Sequence, residues 1–186
     1  SCSQPQFWAP WPATLNKRST CMSNRADVLE ENLYTLFRED VECPSVDLAK
    51  PIGENSALTG YRFLELLETL YVVRHLDLEA RSLKDRDEGY YTIASSGHEV
   101  NAAVAAALRP TDPAFLHYRS GGFFVERARQ VPGQTPIFDI LLSLTASSAD
   151  PISGGRHNVF GSVPLGIYPQ TSTIASHFPK AVGHAI

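Results

Sequence analysis

The segment FLHYRSGGFF sets Tyr118 and Arg119 side by side ahead of Gly121 and Gly122, inside an aromatic and otherwise apolar run. A guanidinium keeps its charge at any ordinary pH and offers a planar fork of donors. With a phenol and flexible glycines at an expected strand end, it suits a phosphate. The competing reading is a partly buried structural Arg paired with a nearby Asp. A second candidate is SGGRHNVFGS, where Gly154 and Gly155 permit close backbone approach to a ligand, and Arg156 and His157 supply donors. Its competitor is a surface loop with solvated charges. A third is TSTIASH, whose small hydroxyls either cap the following helix or hold a monovalent cation or a ring nitrogen. The fourth is SSGHE. His98 can polarise a substrate there, while Ser96 and Glu99 have the S-x-x-E spacing of a capping box.

Other chemistries find no footing in the sequence. The six histidines form neither H-x-x-x-H nor H-E-x-x-H, and no cysteine assists them, which argues against zinc. No Walker loop, G-x-G-x-x-G or nucleophile elbow occurs. The net charge of −4 and the lack of a basic stripe exclude an ordinary nucleic-acid binder. No apolar run approaches the ~18 residues of a membrane span. Cys2, Cys21 and Cys43 are odd in number and form no C-x-x-C, so a disulfide framework is not expected and a reducing, cytoplasmic setting is.

These residues need elements to position them. With 186 residues, 43% apolar and 19% charged, the chain can bury one sizeable core. Residues 1–21 are Pro- and Trp-rich without a period, and the only Met is Met22, so they read as an extension or a disordered arm outside the fold. Residues 27–38 have helical spacing, and 39–55, with Pro44, Pro51 and Gly53, read as a connector, making 22–58 an arm before the main domain. Thr59 opens a long amphipathic helix through Leu83, with Phe63, Leu66, Leu67, Leu70, Val73, Leu76 and Ala80 on its apolar stripe and Gly89 as a limit beyond. A short β-prone run from Tyr90 precedes a helix over 96–108, and 114–118 reads as a buried strand end. Helices are expected over 125–129 and 137–144, and again after the TSTIASH segment, with Pro179 in its first turn. FPKAVGHAI reads as a helix interrupted at Ile186, the mark of a fragment. Alternating helices and short apolar strands point to α/β layering.

Singly the motifs are weak, but their order is specific. R-x-x-D-x-x-A-R-x-L from Arg74 to Leu83, then GYYTIASSGHE, HYRSGG, DPISGGRHNVFGS and TSTIASHFPKAVG, resembles the alpha subunit of thiamine-diphosphate-dependent 2-oxo acid dehydrogenases. The likeness covers residues 59–186 and is strongest to the bacterial branched-chain type, including forms with fused alpha and beta parts. It implies the N-terminal part of an α/β thiamine-diphosphate-binding fold, helix-rich with a partial parallel sheet. It implies oxidative decarboxylation of a 2-oxo acid, such as 3-methyl-2-oxobutanoate or pyruvate, with acyl transfer to a lipoyl group. Partners would be a beta subunit or fused beta part, which supplies an activating glutamate, and a lipoyl domain.

By position, the resemblance gives Tyr118 and Arg119 to the cofactor, Arg119 at its diphosphate. Ser172 and Ile174 would meet the aminopyrimidine, Ile174 as the wedge that bends the cofactor. Tyr91 would line the substrate pocket. Thr171, Ser176 and His177 fall where some members hold potassium, although an imidazole is a poor potassium ligand. The magnesium-binding Gly-Asp-Gly…Asn segment and the catalytic-loop histidine are absent from this sequence, so the 186 residues alone are expected to be inactive. An acetoin dehydrogenase alpha subunit and a non-catalytic interaction module of the same fold are the alternatives.

Overall fold

Thr59 accepts a hydrogen bond from the Arg62 N–H at 3.3 Å and caps the longest helix, α1 (Gly60–Asp85). A computed structural model describes residues 45–91 and 95–186, together with Asp27, Val28, Glu31, Asn32, Tyr34 and Thr35. The chain divides into two units, Ser1–Asp40 and Val41–Ile186. In the first, the six described residues are helical, within the helix expected over 27–38; the expected extension, 1–21, lies outside the described residues.

In the second unit the connector folds back on the start of α1. Pro51 bridges Thr59, and the Gly60 and Tyr61 N–H groups donate to the carbonyls of Lys50 and Leu48 at 3.2 and 3.0 Å. The α1 stripe is buried only in its middle, at Thr69, Val73, Leu76 and Ala80, while Phe63 and Leu64 stay exposed. The helix ends where Asp87 takes a left-handed φ of 58°.

Four further helices follow: α2 (Asn101–Ala107), α3 (Gly121–Arg129), α4 (Pro136–Leu144) and α5 (His177–Ala185). Helix α3 is central, with residues 121–128 all buried. It packs on α2, where Ala102 and Ala105 are fully buried, and Gln130 donates to the Ala105 carbonyl at 3.0 Å. Phe123, Phe124 and Ala128 meet Ala105, Ala114, Leu165 and Ile167 in the core. Burying one such large side chain is worth about 1.5–3 kcal/mol.

Two buried charges tie this arrangement together. Glu126 of α3 is fully buried, and both Arg62 and Thr69 of α1 donate to it, the latter at 2.9 Å. Arg127 is also fully buried and donates to the carbonyls of Pro110 and Asp112 at 2.9 and 3.0 Å, and of Leu165 at 3.4 Å. Burial pushes the Arg127 guanidinium down from its ordinary value, against the pull of Asp112.

Three expectations are corrected. The helix over 96–108 begins at Asn101, because the Ser96–Glu99 box does not form. Arg74 of α1 claims both the Ser96 hydroxyl and the Glu99 carboxylate, and Glu99 accepts the Gly97 N–H at 2.7 Å instead. The helix expected over 125–129 starts at Gly121. Its glycines are therefore packing positions: a Cβ on Gly122 would lie 2.3 Å from the Glu99 carbonyl oxygen. The partial parallel sheet reduces, among the described residues, to isolated bridges, one parallel (Ala114 with Ile167) and two antiparallel. Ala114 exchanges hydrogen bonds of 2.9 Å with Gly166 and Tyr168, and no further rung follows. The fold is helix-rich.

The helix crossing at Gly122 gives a direct test. Gly122→Ala should destabilise the chain by about 2 kcal/mol or more, because backbone cannot yield to the new methyl. Gly183→Ala on α5, where a Cβ meets nothing within 4 Å, should change stability by no more than about 1 kcal/mol and in the favourable direction. Urea unfolding of the two variants side by side checks both the size and the contrast.

Candidate functional site

Asp150 is the organiser of the loop expected to approach a ligand. It is 6% exposed and accepts N–H groups from Ile152, Ser153 and Gly155 at 3.3, 3.0 and 3.3 Å, and the Ser153 hydroxyl at 2.6 Å. Burial raises its pKa, but these hydrogen bonds outweigh burial and hold the carboxyl below its ordinary value. Gly155, at φ 76°, would place a Cβ 2.2 Å from the Ala146 carbonyl oxygen. The glycine is thus demanded by the loop's own closure. The Ser153 hydroxyl also accepts the His157 N–H at 3.0 Å, and so fixes the next residue of interest.

His157 joins this loop to the TSTIASH segment. Its Nε2 accepts the Ser172 N–H at 3.1 Å and lies 2.7 Å from the Ser172 hydroxyl. Accepting a backbone N–H at Nε2 places the neutral ring's proton on Nδ1. Ala175 takes a left-handed φ of 65° just before α5, which costs a residue with a Cβ about 1–2 kcal/mol. The Ser176 hydroxyl makes no cap to α5, unlike the capping expected of these hydroxyls; it lies 3.2 Å from the Thr171 hydroxyl. Ile174 is 76% exposed.

The HYR segment forms the other half. Arg119 lies with its guanidinium 5.2 Å from the centre of the Tyr118 ring, a cation–π arrangement. Its N–H donates to His117 Nδ1 at 3.3 Å. The His117 ring is 3.7 Å from Tyr118, 6.2 Å from His177 and 6.4 Å from His98, centre to centre. Burial lowers the His117 pKa, and the neighbouring His177, Arg119 and His98 lower it further. His184, at the far end of α5, packs on Phe115 and Tyr168 at 5.6 and 5.1 Å and so anchors that helix beside the same segment.

Behind Tyr118 lies a cavity of about 30 Å³ between α1, α3 and α4. Asp77 lines it. Its Oδ1 accepts the Ser95 N–H at 2.9 Å, and its buried Oδ2 has no hydrogen-bond partner. Burial raises this carboxyl's pKa, against the Ser95 hydrogen bond and the charge of Arg74. Tyr91 is half-buried, next to the undescribed residues 92–94.

Thus the residues named from sequence fall in one unit. Tyr118, Arg119 and His177 share the histidine cluster, and Thr171 meets Ser176. Ser172 is held by His157, whose role as a brace is not apparent from spacing. Asp77 and Asp150 stand in the motifs R-x-x-D-x-x-A-R-x-L and DPISGGRHNVFGS, but the sequence gives neither a role. Asp150 carries a local signal, an Asp before Pro151 and a Ser-Gly-Gly turn; the setting of Asp77 comes from tertiary packing. Among the described residues, no group of three or more His, Cys, Asp or Glu is arranged to hold a metal ion. No described helix is long and apolar enough to cross a membrane. No protein-family model matches the chain, and no solved structure gives a significant match.

The two buried carboxyls should respond to pH with opposite signs. Asp150, with its lowered value, contributes stability that is complete above the ordinary carboxylate pKa and is lost as pH falls through its folded value. Asp77, with its raised value, leaves the fold most stable in acid, and stability is lost as pH rises from the ordinary carboxylate pKa through the folded value. At neutral pH Asp150→Asn should lower Tm and Asp77→Asn should raise it, each by about 2–4 °C. Melting curves between about pH 3 and pH 7 should show both differences shrinking in acid. Equal differences at every pH would contradict the assignment.

Proposed function

We propose that residues 59–186 form part of the alpha side of a thiamine-diphosphate-dependent 2-oxo acid dehydrogenase of the branched-chain type. The reaction is oxidative decarboxylation of a 2-oxo acid with acyl transfer to a lipoyl group. One observation carries the reading. The two segments that the motif order assigns to opposite ends of the cofactor meet, with His117 and His177 ring centres 6.2 Å apart.

The residues fit the roles in part. Arg119, beside Tyr118, offers a guanidinium to the diphosphate. Ile174, 76% exposed, leaves its side chain available as a wedge against a flat group. Ser172 contacts the aminopyrimidine through its carbonyl, since its N–H and hydroxyl are engaged by His157. Tyr91 lines the substrate pocket. The Thr171 and Ser176 hydroxyls are the pair that fits potassium; the His177 imidazole, a poor potassium ligand, is left out of it. Bound thiamine diphosphate supplies the electron sink for loss of carbon dioxide. These residues bind and orient it. The magnesium ligands and the activating glutamate come from polypeptide other than these residues, the latter from the beta part, and a lipoyl domain takes the acyl group.

The test is Arg119→Ala in the complete enzyme assembled with its beta part. Calorimetric titration should show thiamine diphosphate binding weakened by at least about tenfold, with Tm moved by less than about 2 °C. Unchanged affinity with a large fall in Tm would return Arg119 to a structural role.

A further inference from the structure

We draw no further inference here: the strongest candidate, the exposed apolar face that Ile174, Phe178, Val182 and Ile186 present at and along α5, carries nothing because nothing in the structure shows what covers it.

Discussion

A buried guanidinium holds the central part of this fold in place. Arg127 has no exposed surface, yet it reaches three backbone carbonyls, two from the turn at Pro110 and Asp112 and one at Leu165. Those carbonyls belong to irregular chain that no sheet supports. A single side chain thus supplies partners that a β-ladder would ordinarily give to buried backbone. It also draws 110–114 and 162–168 onto α3, where Ala114 and Ile167 bridge. The Arg127 guanidinium also lies 5.0 Å from the centre of the Phe123 ring. Removing this charge would orphan the carbonyls as well as open a cavity, so its contribution exceeds that of any one hydrogen bond.

From that anchor the HYR segment inherits its position. It leaves the Ala114 bridge and enters α3 six residues later through Ser120. Both ends are constrained by backbone: Ala114 by Gly166 and Tyr168, Gly122 by the Glu99 carbonyl oxygen. Glu99 is in turn held by Arg74 of α1. Side chains at 117–119 are therefore presented from a fixed stretch between a core bridge and a helix start. That is the condition for placing the His117 ring within about 6 Å of His98 and His177 and beside Tyr118.

Much of the helical architecture was legible in the sequence. The long helix opened by Thr59 and the helix over 137–144 rest on local signals, and each forms within two residues of its expected bounds. What failed was local pattern in competition with tertiary contact. Ser96 and Glu99 have capping-box spacing, yet Arg74, 22 residues before Ser96, takes both side chains. Gly121 and Gly122 read as flexible because glycine frees the backbone; here they are buried in a helix because a neighbour leaves no room for a Cβ. The stretch at 114–118 reads as a buried strand end, but a strand needs a partner longer than the single rung that Ile167 provides. Of the candidate site, the residue types were legible and their braces were not. His157 and Ser172 are 15 residues apart and meet only in the fold.

The Asp150 loop shows why this matters for reading function. Its Gly-Gly pair, its Asp and its hydroxyls have the composition of a loop that cradles a phosphate. In the fold those donors are already spent. The Ile152, Ser153 and Gly155 N–H groups point at Asp150, and Gly155 is required by the Ala146 carbonyl. A loop that satisfies its own N–H groups around an internal carboxylate has little left to offer an external anion. Its contribution is indirect: it fixes His157, which fixes Ser172 and hence the turn that leads into His177. The cationic and cation-forming side chains of this unit gather elsewhere, where His117 meets Arg119 and His177.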